Sequence, residues 1–175
     1  MATNTLISIA EYLNTSYRPD CDYVDGEVQE RNLGEEEHSD LQTHLIELLL
    51  VPENKAHIRA NTELRVQVKE DSFRVPDVCV RPRNVRSERF VSQPPLLCIE
   101  ILSPSDTVQK LKERLRDYLE MGVPEVWVLD SEVRSVIVYA GSTIVEHTSG
   151  VLTVPGAPVK LDLRDIFSVL DDYEE

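Results

Sequence analysis

Two apolar runs that each carry one acid in the middle constrain this chain more than any other feature. VPDVCV at 75–80 holds Asp77, and LLCIEIL at 96–102 holds Glu100. Runs of this kind read as core strands, the second as a central strand covered on both faces. A carboxylate at such a position must be paired, neutralised or bound to a metal, because burial strips its hydration. On strands that pair side by side, two such acids can point to one face. Their repulsion raises one pKa unless a cation sits between them. Carboxylate oxygens with water suit Mg2+ or Mn2+, and no Cys/His cluster has zinc spacing. The plainer alternative is a pair of ordinary salt bridges, Asp77 with Arg74 or Arg81 and Glu100 likewise.

The rest of the chain reads as elements around those two strands. Residues 7–13 predict a short helix with Thr5 as cap. CDYVDGEVQERN predicts a hairpin with Asp25-Gly26 as its turn, and Glu27 follows the turn. His38 to Leu50 is amphipathic, with Leu41, Leu45, Leu48 and Leu49 at helical spacing. Residues 58–68 and 73–80 predict two antiparallel strands joined by a short turn, with Pro76 marking an irregularity in the second. After an Arg- and Pro-containing loop at 81–95 and the strand at 96–102, Asp106 as N-cap with Gln109 predicts a capping box. That helix runs to Met121, where Gly122 stops it. The strand at 126–129 then pairs parallel to 96–102 through a right-handed crossover. Residues 133–139 and 142–147 form a hairpin about Ala140-Gly141, and VKLDLRDIFSVL is a strand leading into a helix. With no repeat or linker, one domain over 1–175 is expected.

Composition narrows the partners. The net charge of -14 opposes nonspecific polyanion binding, which needs cationic neutralisation of phosphates. The charge is uneven: Glu35, Glu36 and Glu37 form one acidic run, and Asp171, Asp172, Glu174 and Glu175 another. Arg74, Arg81, Arg83, Arg86 and Arg89 face only Asp77 and Glu88 in their stretch, so a local basic patch near the core acids is open. Cys21, Cys79 and Cys98 are an odd set, two of them in apparent core strands, which predicts reduced buried thiols and a cytoplasmic setting. No run reaches the roughly 18 apolar residues of a membrane span. There is no P-loop, GxGxxG or GxSxG, and Ser103 lacks the glycines of a nucleophile elbow.

Five pieces together carry a resemblance: DGEV at 25–28, His38 opening a helix, RVPDVCV at 74–80, CIEILSPSD at 98–106, and RLRDYLEMGVPEVWVLD at 114–130. In this order they resemble the Uma-type endonuclease family of the PD-(D/E)XK superfamily. The resemblance implies an α/β, restriction-endonuclease-like mixed sheet with flanking helices, here with an added β-hairpin. It implies DNA phosphodiester hydrolysis dependent on Mg2+ (or Mn2+), held by Asp77, Glu100 and the backbone carbonyl of Ile101. The superfamily lysine two residues past the second acid is Leu102 here. The Uma-type variant places that lysine on the next helix, four residues before a tyrosine, and this chain has Arg114 before Tyr118. Arginine keeps the charge but does not give up its proton, so Lys110 or Lys112 enters as a substitute. Glu27 and His38 match further family positions lining the pocket. A homodimer follows from the two-fold symmetry that cutting both strands favours. The competing expectation is a catalytically degenerate nuclease-fold module that binds a protein or nucleic-acid partner, and a third is a structural subunit with salt-bridged acids.

Overall fold

The structure is a computed structural model that describes residues 6–31, 35–86, 88–104 and 106–173. Thr5, Gly34, Ser105, Glu174 and Glu175 lie outside the described residues.

Helix α1 (Ile9–Asn14) is capped by the Ser8 side chain, which accepts from the Glu11 N–H. Strands β1 (Asp22–Val24) and β2 (Glu27–Gln29) form the expected hairpin, with Asp25 and Gly26 at φ 50 and 90, the pair of positive values that a tight two-residue turn demands. Helix α2 (Glu36–Leu49) follows and buries Leu41, Leu45 and Leu49 fully. Each buried leucine contributes about 1.5–3 kcal/mol relative to exposure. A one-turn helix α3 (Pro52–Lys55) then leads to β3 (Ile58–Thr62).

The next segment departs from the two long strands expected at 58–68 and 73–80. Each is broken. The first divides into β3 and β4 (Val66–Lys69), with Glu63 between them at φ 49. The second divides into β5 (Ser72–Arg74) and β6 (Val78–Pro82), with Val75, Pro76 and Asp77 between. Pro76 has no N–H for a ladder. The Val75 N–H leaves the ladder as well, donating to an Asp22 carboxylate oxygen at 2.8 Å. The hairpin therefore folds over itself. β4 and β5 join a four-stranded sheet in the order β2-β1-β5-β4, while β3 and β6 join a six-stranded one.

Strand β7 (Leu97–Ile101) is antiparallel to β6, with Cys79 opposite Cys98. Helix α4 (Val108–Met121) is capped by Thr107 rather than Asp106, and Gly122 closes it at φ 101. Strand β8 (Glu125–Asp130) pairs parallel to β7 as the crossover required. β9 (Ser135–Ala140) and β10 (Thr143–His147) complete the order β10-β9-β8-β7-β6-β3. β11 (Val151–Thr153) and β12 (Lys160–Asp162) form a two-stranded sheet, and α5 (Leu163–Phe167) with a 3-10 turn (Ser168–Tyr173) ends the description. The architecture is the mixed α/β, restriction-endonuclease-like sheet with flanking helices and an added hairpin.

Alternation along β6 and β7 sorts side chains between two layers. Val78, Val80, Leu97, Ile99 and Ile101 pack with α2, α5 and Trp127 on one face. Cys79 and Cys98 pack with Leu115 and Tyr118 of α4 on the other. Glu100 falls in register with Cys98, on the α4 side. All three cysteines are free and buried. Among the described residues no helix is long and apolar enough to cross a membrane.

Candidate active site

Asp77 sits at the break before β6 and Glu100 near the end of β7. Both reach into one cavity of about 50 Å3 between the two sheets and the start of α4. The carboxylates are buried, with Asp77 4% and Glu100 1% exposed. The break at Pro76 is what makes this possible. A continuous strand would commit the Asp77 segment to a ladder, whereas here one Asp77 oxygen, Oδ2, accepts the free N–H of Ile101 at 2.7 Å. The Asp77 carbonyl is itself held by the Gln42 amide of α2 at 2.8 Å.

The remaining Asp77 oxygen, Oδ1, takes Nη2 of Arg31 at 2.6 Å and faces Nε2 of His38 at 3.4 Å. Burial works to raise the Asp77 pKa, but the Arg31 guanidinium, the His38 ring and the Ile101 N–H outweigh it and hold the carboxyl below its ordinary range. Glu100 goes the other way. Its Oε1 accepts from the Tyr118 hydroxyl at 2.7 Å, while Oε2 lies 3.3 Å from Nε of Arg114 and 3.7 Å from Nη2 of Arg31. Neither guanidinium contact has hydrogen-bond geometry, so Oε2 accepts no hydrogen bond from any described residue. Burial, reinforced by the charge of Asp77, wins over Arg114 and Arg31 and pushes Glu100 up to about 7. For His38, burial alone would lower the pKa, and the hydrogen bond to Asp77 reverses that and raises it.

Arg114 projects from the first turns of α4 and is fixed by Asp106, whose Oδ1 accepts from Nη2 at 3.0 Å. This explains the displaced cap. Asp106 accepts the Ser103 N–H through Oδ2 and Arg114 through Oδ1, leaving Thr107 to accept the Lys110 N–H. Lys110 lines the cavity, but Lys112 does not. Lys112 is exposed on another face of α4, in a groove with Leu119, Tyr139 and Ile144, so it is not near the acids. Glu27 is not among the cavity residues either; Gln29, Glu30 and Arg31, just beyond it, are.

Two further expectations change. The anticipated partners of the acids, Arg74 and Arg81, are engaged elsewhere: Arg74 with Asp22 and Asp117, Arg81 with Asn61. The basic patch of five arginines is dispersed, since Arg74 is buried and Arg89 turns to Leu13 and Asn14 of α1. Arg31 is the site residue that sequence reasoning missed. It lies two residues past β2 in a polar stretch, and its only signal was proximity to the DGEV motif.

The donors fit a hard divalent cation. Asp77 Oδ1 and the orphaned Glu100 Oε2 face a shared cavity, and such ions accept one or two carboxylates with water and substrate oxygens completing the shell. Among the described residues no group of three or more His, Cys, Asp or Glu side chains is placed to hold a metal; the Ile101 carbonyl enters as a third donor only through the family resemblance.

The fold is matched elsewhere. A solved structure described as "a putative nuclease belonging to DUF820" from Anabaena variabilis superposes with a TM-score of 0.79 at 25% identity, covering 94% of this chain and 99% of that one. No curated protein matches the chain. The family model described as "Putative restriction endonuclease" matches residues 9–164, a span that takes in the broken hairpin, both acids, Arg31 and α4, and the chain therefore belongs to the Uma2 family.

Proposed function

We propose that this cavity hydrolyses DNA phosphodiester bonds with a bound Mg2+ or Mn2+. The observation that carries the reading is the convergence of Asp77 and Glu100 with Arg114 and His38 on one buried, polar cavity. Asp77, Glu100 and the carbonyl of Ile101 would hold the ion. When bound, it would supply a water of lowered pKa and positive charge against the phosphoryl oxygens.

The chain's own residues do the rest. Arg114, positioned by Asp106 and always protonated, sets fixed positive charge where negative charge develops on phosphorus oxygens. It takes no proton. His38 is a proton-exchanging group whose pKa, against the lowering by burial, is raised by its hydrogen bond to Asp77, and its ring faces Asp77. Lys110, exposed and lining the cavity, offers a further phosphate contact. Tyr118 orients Glu100 through Oε1 and leaves Oε2 directed at the cavity. A two-fold dimer, one domain over the chain and a cytoplasmic setting belong to the same reading.

Cleavage of supercoiled plasmid with MgCl2 or MnCl2 tests it. Asp77→Ala and Glu100→Ala each should lose activity by roughly a thousandfold, the several kcal/mol that such ions supply. Unchanged cleavage in both variants sinks the assignment.

A second reading, a degenerate module that binds a nucleic-acid or protein partner, draws on one specific observation. Two guanidiniums, Arg31 and Arg114, already lie beside the two acids, and Arg114 stands where the family lysine would. Saturable DNA binding by wild type without cleavage in either metal, across duplex, single-stranded and RNA substrates, would favour it.

A further inference from the structure

We propose that Arg31 is a built-in counter-cation for the acid pair, and that a divalent ion gains Asp77 and Glu100 only by displacing its guanidinium. The inference rests on the metal reading above and adds the residue that regulates entry to the site.

Each carboxylate has one oxygen committed to the fold. Asp77 Oδ2 holds the Ile101 N–H, and Glu100 Oε1 holds the Tyr118 hydroxyl. The oxygens left are Asp77 Oδ1 and Glu100 Oε2, and one nitrogen of Arg31 lies across both, at 2.6 and 3.7 Å. An ion ligated by the same two oxygens, at about 2.0–2.1 Å for Mg2+, must take the place of that nitrogen. The two cations cannot share it, since like charges at such separations in a partly buried site repel strongly.

Arg31 and Arg114 are not equivalent here. Arg114 stands on a helix and is tied back by Asp106, so it stays when its contact with Glu100 changes. Arg31 lies past the end of β2, outside any ladder, and its ion pairs among the described residues are with Asp77 and Glu100. Its long stem permits withdrawal without disturbing a strand. The arrangement solves a folding problem as well. The protein can bury the Asp77 carboxylate with no ion bound because the Arg31 guanidinium pairs with it.

Mn2+ titration calorimetry on the full chain, for wild type, Arg31→Gln and Arg31→Lys, tests the inference. Arg31→Gln should bind Mn2+ at least about tenfold more tightly than wild type, because the competing charge is gone. Arg31→Lys should fall between them, as a point charge with a poorer fit to two oxygens. Thermal unfolding gives a second readout: Arg31→Gln should melt below wild type without Mn2+ and recover with saturating Mn2+. Should Arg31→Gln fail to fold without the ion, Arg31→Lys decides: affinity above wild type supports displacement, affinity equal to wild type overturns it. Equal, saturable affinity in all three proteins overturns the role of Arg31 and leaves the metal site standing. No saturable binding in any of them overturns both.

Discussion

Two buried ionic clusters lie side by side in this molecule, and they are built to opposite standards. The first ties β1, β5 and α4. Arg74 donates through Nε to Asp117 at 2.8 Å and through Nη1 to Asp22 at 3.0 Å, Lys69 adds a bond to Asp117 at 2.8 Å, and Asp22 accepts the Val75 N–H. The second is the acid pair with Arg31, Arg114 and His38. There Glu100 Oε2, Arg114 Nε and His38 Nδ1 are buried with no hydrogen-bond partner among the described residues. Buried charge is tolerated when fully hydrogen-bonded and is a liability otherwise. The satisfied cluster reads as a joint of the fold. The unsatisfied one holds capacity for something the chain itself does not supply.

The largest expected effect separates the two directly. Arg74→Met leaves Asp22 and Asp117 buried without their shared cation, and should destabilise by roughly 3–5 kcal/mol in urea denaturation. A loss below about 1 kcal/mol would erase the distinction drawn between the clusters.

Glu100→Gln should behave in the opposite sense. The Glu100 pKa stands at about 7 against an ordinary 4.5, so the folded chain favours the protonated form. Below pH 4.5 both folded and unfolded states are protonated and wild type keeps its full stability. As pH rises towards 7 the unfolded chain has released its proton, the folded chain retains it, and stability falls. The glutamine has no such proton, so it should gain on wild type across that window while metal binding is lost. A flat difference between pH 4.5 and 7 would mean that Glu100 is better compensated than its geometry indicates. Asp77 has the reverse linkage, with a lowered pKa and stability that is lost only at strongly acidic pH.

The smallest effect is expected at Lys112→Ala. An exposed lysine away from the cavity should change neither cleavage nor stability, the latter within about 0.5 kcal/mol. Impaired cleavage in this variant would place a catalytic cation on the wrong side of α4 and require the helix to turn.

Much of the fold was legible because its signals are local. The Asp25-Gly26 turn, the leucine stripe of α2, the Gly122 stop and the β7–α4–β8 crossover each depend on residues within a few positions, where periodicity and turn chemistry act. The same locality misled at the breaks. Partial alternation in 58–68 and the apolar run in 73–80 do not announce that each segment serves two sheets, and Pro76 marked only that something there was irregular. Asp106 satisfied the capping pattern but was drawn away by Arg114, a competition that appears only when the side chains meet.

By itself the sequence set two acids within apolar runs, a cationic helix after the second, and thiols among core residues, while leaving the surroundings of the acids open. These follow from residue type and spacing. Tertiary structure alone decided which cations reach the acids. Arg31 is 46 residues from Asp77 in the chain, and Arg74, only three away, is claimed by Asp22 and Asp117. Partner choice among buried charges is settled by which elements close around them, because desolvation leaves each charge to the donor that packing brings within hydrogen-bond distance.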